Sequence, residues 1–386
     1  MESSFIKKFY NKTEDIYLIS IFLIVIMYVF KMTYNFPFKY FNLLLNFIRI
    51  LAYMLLLIKF TLDFFRNEYT IKEIIILIIL SMYMALISYQ SKTFGYFTYF
   101  AYMVTSKNVN YNKIIRRVFI TFVLSTSMVL LLTYIGVIKD HIFFEGTRNR
   151  HGLGFNWTTV FPHMFMYMVL YYIFIRRDKI SFYEVIIIVL INICLFKLTD
   201  TKSPFAFTLM TIILAYLIKK LKFLQKYKKI YSVISISLPV ALSTFIVLIS
   251  AFFNNDSAFF SKFNRILSGR LALGNYAIKQ YGFELFARHI IFAGGEIKDS
   301  SITYNFVDSS YLLYLINFGI IFLVLLIVLL TYFAHLINTK KDVYMFMIFC
   351  IITLHSTFDP QLLNLCFNYF LMVWSYKNTK IKISHG

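Results

Sequence analysis

The stretch Ser309–Phe333, SSYLLYLINFGIIFLVLLIVLLTYF, decides the fold class, because it carries no charged residue over a length that crosses a bilayer. Similar apolar segments recur on both sides of it along the 386-residue chain. Apolar residues make up 60% of the chain and charged residues 15%, with a mean hydropathy of +0.70. Soluble domains carry about 25% charged residues. The composition therefore argues against a soluble enzyme or a disulfide scaffold and predicts an all-α, polytopic integral membrane protein.

Apolar segments of spanning length predict about twelve transmembrane helices, in a single transmembrane domain that covers residues 1–386. Thr93–Thr105 is short and aromatic, which is typical of a half-span or an interfacial helix. The predicted spans are Ile16–Phe30, Phe41–Phe60, Ile71–Tyr89, Thr93–Thr105, Ile114–Ile138, Thr158–Ile175, Ser181–Leu198, Ser203–Ile218, Tyr231–Phe253, Ser309–Phe333, Asp342–His355 and Gln361–Tyr376.

The net charge of +21 indicates membrane topology rather than nucleic-acid binding, because the Lys and Arg residues lie in short runs between the predicted spans. Lys107–Arg117 and Lys219–Lys229 are two such runs, and twelve spans place all of them on one side together with both termini. The positive-inside rule makes that side the cytoplasm. Two longer polar segments then face outward, 139–157 and the large extracytoplasmic loop 254–308 between the ninth and tenth spans. Abundant Phe and Tyr, 45 and 30 against 12 Gly, favour an AT-rich bacterium and hence its cytoplasmic membrane.

Neither a metal site nor a cofactor site is predicted. Cys194, Cys350 and Cys366 all lie in apolar stretches and form no CxxC pair. The polar loops contain no Gly-rich nucleotide loop, no HExxH and no DxD carboxylate pair. Any enzyme activity of this chain is therefore expected to be metal-independent.

The arginines break the topology pattern and are the strongest functional signal. Five of the eleven arginines fall in the outer loops, where positive charge opposes the orientation rule. Guanidinium groups suit bidentate contact with phosphate or carboxylate. Alternatively, these side chains reach lipid headgroups or pair with acidic residues of the same loops. The five are Arg148, Arg150, Arg265, Arg270 and Arg288.

Four short segments stand at predicted span boundaries, in order along the chain: RNRHGLGF at Arg148–Phe155, TDTKS at Thr199–Ser203, SGRL at Ser268–Leu271 and VDSSYL at Val307–Leu312. Together they resemble segments of Wzy-type bacterial polysaccharide polymerases of the O-antigen ligase and polymerase superfamily. The sequence departs from that pattern at Ser309, where Asn is usual, and at Lys202, where Arg is usual.

The resemblance implies a GT-C-like glycosyltransferase that polymerises undecaprenyl-diphosphate-linked oligosaccharide repeat units into a capsule, exopolysaccharide or O-antigen at the outer membrane face. It also implies that membrane lipid surrounds the protein and that a flippase and a chain-length regulator are its partners. The leaving diphosphate needs cations to stabilise its charge. Arg270 is the first candidate for this role. It is followed by Arg148, Arg150, Lys202 and Arg265, with Arg288 and Tyr311 as further substrate-binding residues.

Asp308 is the first candidate for the base that takes the acceptor proton, and His151 is the second. Arg150 beside His151 favours its neutral, basic form. Asp308 or Ser309 is equally suited to capping a helix that begins at Ser310, and Asp359 before Pro360 is typical of a turn. A flippase or other transporter, and an O-antigen ligase-type transferase, remain open as alternative functions.

Overall fold

The computed structural model describes residues 2–145, 148–221, 228–292 and 305–379. By their contacts the residues form two compact units. Unit 1 comprises Met1–Ile76, Tyr99–Lys222 and Leu365–Gly386, and unit 2 comprises Leu77–Thr98 and Phe223–Asn364. Parts of the two predicted outer loops, at 146–147 and 293–304, lie outside the described residues. So do most of the basic run Lys219–Lys229, at 222–227, and the tail beyond residue 379.

The described part of unit 1 is mostly helical and contains one short β-hairpin. Helix α1 packs against α2 and α5, and α6 packs against α5, α7 and α8. Helix α3 (Ile71–Ser91) begins in unit 1 and ends in unit 2, and α4 (Gly95–Thr105) begins in unit 2 and ends in unit 1. The other helices of unit 1 are α1 (Glu2–Lys31), α2 (Phe41–Phe65), α5 (Tyr111–Tyr134), α6 (Val160–Arg176), α7 (Phe182–Thr199), α8 (Lys202–Leu221) and the short C-terminal Val373–Asn378.

Two of these helices begin at side-chain caps that the sequence encodes. The Asn110 side chain accepts hydrogen bonds from the backbone N–H groups of Asn112 and Lys113 at the start of α5. Ser181 and Glu184 form a capping box at the start of α7. Such caps satisfy N–H groups that lack a partner within the helix.

The helices expose the surface that a bilayer would cover. On α2, Leu43 is 68% exposed and Phe47 is 63% exposed, whereas only five of its residues are buried. Apolar surface of this extent is not stable in water but is ordinary against lipid. Within the described residues, eight helices are long and apolar enough to cross a membrane: Lys12–Lys31, Phe41–Phe65, Ile71–Ser91, Tyr111–Tyr134, Phe182–Thr199, Lys202–Lys220, Ser232–Ala251 and Ser310–Lys340. The prediction of a helical, polytopic membrane protein is thus confirmed.

The predicted outer segment 139–157 contains a β-hairpin. Strand β1 (Ile142–Glu145) pairs antiparallel with β2 (Arg148–His151), and Phe143 lies opposite Arg150 in the register. The hairpin fixes the backbone of the first polymerase-like segment, and β2 packs against α7.

The described residues of unit 2 form five further helices, two of them inside the segment predicted as a large loop. Helix α9 packs against α11, α12 and α13, and α12 also packs against α11 and α13. The five are α9 (Lys228–Ala251), α10 (Ala258–Ile266), α11 (Arg270–Tyr281), α12 (Ser310–Lys340) and α13 (Val343–His355). The C-terminal helix of unit 1, Val373–Asn378, is α14.

Helix α12 is broken at Gly319, which has φ +87° and ψ 174°. The backbone at 284–288 in the large loop returns to this break. There, Ile320 donates its N–H to the Glu284 carbonyl at 2.8 Å, and Arg288 donates its N–H to the Asn317 carbonyl at 3.0 Å. A broken transmembrane helix is stable where neighbouring protein satisfies the freed backbone groups, and the 284–288 segment does so here.

Gln361–Tyr376, predicted as the twelfth transmembrane helix, is helical only from Val373 onward. The prediction of a helix over the whole segment is therefore wrong. The segment is buried, and side chains take the place of the helical hydrogen bonds. In unit 1, the Tyr171 hydroxyl accepts from the Tyr369 N–H at 2.8 Å and donates to the Phe367 carbonyl at 2.6 Å. Hydropathy alone does not detect this arrangement, because a buried irregular segment is as apolar as a helix.

Three other predicted spans form helices shorter than the eight above. They are α4 with 11 residues, α6 with 17 and α13 with 13. Their existence as helices agrees with the sequence, and the total number of membrane crossings stays a prediction.

Candidate functional site

Arg270 is the first residue of α11, and a tight turn places it there. Ser268 and Gly269 before it have φ values of +55° and +86°. The Asn264 side chain accepts hydrogen bonds from the N–H groups of Leu271 and Ala272, each at 3.1 Å. The Ser-Gly-Arg sequence thus forms a left-handed turn that is closed by a side-chain cap, and it fixes the direction in which Arg270 leaves the backbone.

The Arg270 guanidinium lies between two carboxylates. Its Nη2 donates to Asp359 Oδ1 at 3.0 Å, and its Nε is 3.6 Å from Asp308 Oδ2. Arg270 and Asp308 are 22% and 23% exposed, whereas Asp359 is 4% exposed. We call these three residues the Arg270 cluster.

Asp308 directly precedes the N-cap of α12. The cap is Ser309, whose Oγ accepts from the Leu312 N–H at 3.4 Å. Of the two capping candidates in the sequence, the structure thus selects Ser309. The Asp308 carboxylate instead faces Arg270.

Asp359 lies just beyond the end of α13, and backbone contacts hold it against the start of α12. The Ser310 hydroxyl donates to the Asp359 carbonyl at 2.7 Å, and the Ser310 N–H donates to the Ser356 carbonyl at 2.9 Å. His355, one helical turn earlier and fully buried, places Nε2 at 3.2 Å from Asp359 Oδ2. These contacts fix the spacing of Asp308 and Asp359 on either side of Arg270.

The Arg270 cluster suits proton transfer. The guanidinium stabilises negative charge on both carboxylates, and the formal charge of the three groups is −1. The partly exposed Asp308 can reach a substrate hydroxyl, whereas the buried Asp359 anchors Arg270. An ionised carboxylate held in this way is a suitable general base.

Arg288, predicted as a substrate-binding residue, donates to three backbone carbonyls. Its Nε donates to the Ile316 carbonyl at 3.0 Å and its Nη2 to the Gly282 carbonyl at 2.9 Å. Its Nη1 bonds the Tyr281 carbonyl and lies 3.0 Å from Glu284 Oε1. Little of the guanidinium remains for a ligand, so Arg288 fastens its own segment to the broken helix α12.

Two other candidates in unit 2 differ in exposure. Tyr311 is fully buried, and its hydroxyl donates to the Thr353 carbonyl at 3.1 Å, which places it in the packing of α12 against α13. Arg265, at the C-terminal end of α10, is exposed and forms no ion pair with any described residue.

In unit 1, the structure brings together two segments that resemble the polymerases. Arg148 forms an ion pair with Asp200, and its Nη2 also donates to the Asp200 carbonyl at 3.1 Å. Arg150 is buried and donates through Nε to the Thr199 carbonyl at 2.9 Å. The β-hairpin is therefore joined to the turn between α7 and α8.

His151 is paired with a carboxylate that the sequence did not single out. Its Nδ1 is 2.6 Å from Asp140 Oδ2, and Asp140 Oδ1 accepts from the Leu153 N–H at 2.6 Å. A carboxylate that orients an imidazole is typical of a catalytic base but also of a structural pair. Lys202, at the start of α8, is exposed and is not ion-paired within the described part of the chain.

Sequence reasoning missed Asp359 and His355 as neighbours of Arg270. Their spacing of four residues, which places two side chains on one face where the chain is helical, was the available signal. The contact between Arg270 and Asp359 joins positions 89 residues apart, and nothing local encodes it.

No protein-family model, curated protein or solved structure matches this chain. The resemblance to Wzy-type polymerases accordingly depends on the four segments themselves. The structure gives each of them a defined geometry within its own unit, and a functional proposal can be built on that geometry.

Proposed function

We propose that this protein is an integral-membrane glycosyltransferase. It polymerises polyprenyl-diphosphate-linked oligosaccharide repeat units at the outer face of the bacterial cytoplasmic membrane. The observation that carries the proposal is the Arg270 cluster, in which Arg270 contacts both Asp308 and Asp359. Two of the three residues belong to segments that resemble the polymerases, and the cluster has the chemistry that a glycosyl transfer needs.

In this reaction a hydroxyl oxygen of the acceptor sugar forms a bond to the anomeric carbon of the donor glycan. The bond from that carbon to the diphosphate oxygen breaks, and its electron pair leaves with the lipid diphosphate. The hydroxyl proton passes to Asp308, the more exposed carboxylate of the cluster. Asp359 holds Arg270, and Arg270 in turn positions Asp308.

The geometry changes the role proposed for Arg270. A cluster with a formal charge of −1 does not attract a diphosphate, so Arg270 is better placed to organise carboxylates than to bind the leaving group. Arg265, exposed and in the same unit as the cluster, is a candidate for diphosphate contact. We propose the transfer as metal-independent, since the guanidinium already offsets part of the negative charge that would attract a divalent ion to the two carboxylates. Activity is expected to persist in a chelator.

We also propose that both chain ends lie in the cytoplasm. Within unit 1, Lys113 Nζ is 2.5 Å from Glu14 Oε2, and the Tyr111 N–H donates to Thr379 Oγ1 at 2.8 Å. The two ends of the chain thus meet the same basic turn at the start of α5. The positive-inside rule favours the cytoplasm for that turn.

Reconstitution tests the function directly. Purified protein in liposomes, supplied with lipid-linked repeat units, should produce a ladder of longer lipid-linked chains and release polyprenyl diphosphate. The Asp308→Asn variant, purified in equal amount, should leave the single repeat units unchanged. Absence of any ladder with wild-type protein would contradict the proposal.

A transporter of lipid-linked oligosaccharides is the second candidate, and the break in α12 is the observation that favours it. Discontinuous transmembrane helices form substrate sites in many transporters. The same liposomes separate the two functions, because a transporter moves a fluorescent repeat unit between leaflets without lengthening it. An O-antigen ligase-type enzyme would instead transfer the glycan only to a different acceptor, and adding such an acceptor separates that case.

A further inference from the structure

A cavity of about 330 Å³ opens in unit 1 beside the start of α5 and the end of α6. Three of its lining residues are cationic, two are asparagines, two are apolar and none is acidic. The lining residues are Asn110, Asn112, Lys113, Arg116, Phe174, Ile175 and Arg177.

The cationic side chains come from α5 and from Arg177, the residue that follows α6. Lys113 and Arg116 are three residues apart on α5, so they share one face of the helix. The Arg177 guanidinium lies over the Phe174 ring, with Cζ 4.7 Å from the ring centroid. This cation–π contact holds the charge over an apolar wall.

Arg116 gives the cavity a positive charge that no ion pair within the described part of the chain offsets. Lys113 is paired with Glu14 at 2.5 Å. Arg116 is exposed and forms no ion pair among the described residues. A ligand with a negative charge therefore gains an attraction that the protein itself does not satisfy.

The lining combines an apolar wall with cationic and amide side chains, and this combination favours an anion that also has an apolar part. Buried Phe174 and half-buried Ile175 form one wall, whereas the arginines and asparagines provide donors for phosphate oxygens. Basic pockets between transmembrane helices on the cytoplasmic side bind anionic lipid headgroups. The cavity lies at the basic turn that we place on that side, where such headgroups are present.

We propose that this cavity binds the phosphate-bearing headgroup of an anionic phospholipid of the cytoplasmic leaflet. Arg116 and Arg177 contact the phosphate, Asn110 and Asn112 contact its polar substituent, and Phe174 with Ile175 lies against the glycerol and upper acyl region. The site is independent of the proposed glycosyl transfer.

Native mass spectrometry with phosphatidylglycerol tests the site. Wild-type protein, exchanged from phosphatidylglycerol-containing nanodiscs into detergent, should retain one such lipid in preference to phosphatidylcholine. The double variant Arg116→Gln with Arg177→Gln should retain it about 30-fold more weakly, because each basic residue near an anionic headgroup contributes to its attraction. Thermal unfolding in phosphatidylcholine nanodiscs checks that this double variant is folded. If the double variant does not fold, the single variant Arg116→Glu is used in its place.

The matched control is Arg117→Gln with Lys179→Gln, which removes two exposed charges near the cavity that do not line it. It should retain the lipid as wild type does. Equal losses in both double variants would show a general surface attraction and overturn the site. Complete displacement of the lipid by millimolar inorganic phosphate would assign the cavity to a soluble anion and overturn the lipid proposal, as would the absence of any retained lipid in wild type.

Discussion

Arg270 and Arg288 lie in the same predicted loop, yet their partners give them different roles. Arg288 donates to the carbonyls of Tyr281, Gly282 and Ile316, so its charge stabilises backbone. Arg270 contacts two carboxylates and is partly exposed. A guanidinium that donates to backbone carbonyls stabilises the fold. One that lies between two carboxylates positions groups that can accept or release a proton.

Asp308→Asn should lower polymer formation about 100-fold or more, because a general base contributes rate factors of that size and an amide accepts no proton. Protein level should not change, since the side chain keeps its shape. Lipid extracts from cells that carry the variant should accumulate single lipid-linked repeat units. Asp256→Asn, an exposed carboxyl in the same loop, is the matched control. Long chains at the wild-type level would remove Asp308 from the mechanism.

Arg288→Ala should act on stability rather than on chemistry. It leaves three partly buried carbonyls without their donor, at about 1 to 3 kcal/mol for each group that water does not reach. The expected result is a lower Tm and a poorer yield of purified protein. Arg265→Ala, which removes an exposed arginine that lacks an ion pair among the described residues, should leave the Tm unchanged. Equal Tm values for the two variants would contradict the structural role of Arg288.

At the scale of elements, α12 depends on the absence of a side chain at position 319. A Cβ there would lie 2.5 Å from the Leu285 carbonyl oxygen and 2.7 Å from the Phe286 carbonyl oxygen. These are backbone atoms, and the φ of +87° is also unfavourable for an L-residue. The glycine therefore allows the 284–288 segment to reach the break in the helix.

Gly319→Ala should abolish the monodisperse peak of the detergent-solubilised protein in size-exclusion chromatography. Gly95→Ala is the control, because a Cβ at that position meets no atom within 4 Å. If both variants gave the wild-type profile and Tm, the close return of the loop backbone to α12 would be wrong.

Tyrosine hydroxyls stabilise the irregular C-terminal segment by hydrogen bonding to its backbone. Tyr171→Phe leaves the Tyr369 N–H and the Phe367 carbonyl unpaired, whereas Tyr111→Phe removes the hydroxyl that donates to the Phe370 carbonyl. The loss of stability should therefore be larger for Tyr171, about 2 to 5 kcal/mol against about 1 to 3 kcal/mol. Denaturant-induced unfolding in micelles measures both, and exposed Tyr183→Phe should show no loss. The reverse order would show that a helix-like pairing replaces these contacts.

At the scale of the whole molecule, hydropathy predicted most helices because lipid leaves a spanning segment little alternative to internal hydrogen bonding. For example, the spans predicted at Phe41–Phe60 and Ile114–Ile138 correspond to the helices Phe41–Phe65 and Tyr111–Tyr134. The prediction was wrong at Gln361–Tyr376, where distant hydroxyls pair with the backbone. It also missed α10 and α11, whose short lengths give no spanning signal.

The candidate site was predictable only in part, for a similar physical reason. The Ser-Gly-Arg turn and the capping serine are local features, and their residues stand where the sequence placed them. The partner of Arg270 is Asp359, which tertiary packing of α13 against α12 brings near. Composition and spacing carry no information on such a contact, so Asp359 looked like an ordinary turn residue before Pro360.

Membrane orientation is the prediction on which an outer-face site depends. In a variant without the three native cysteines, Asp256→Cys should react with a membrane-impermeant maleimide added to intact spheroplasts. Lys179→Cys should react only after the membrane is opened. Both positions are exposed, so reactivity reports the side of the membrane rather than burial. The positive-inside rule favours this result, because Lys179 adjoins Arg176 and Arg177 whereas Asp256 lies in the nearly balanced large loop. Labelling of Lys179→Cys alone in intact spheroplasts would invert the topology. It would then place the Arg270 cluster in the cytoplasm, away from the lipid-linked glycans that the proposed reaction joins.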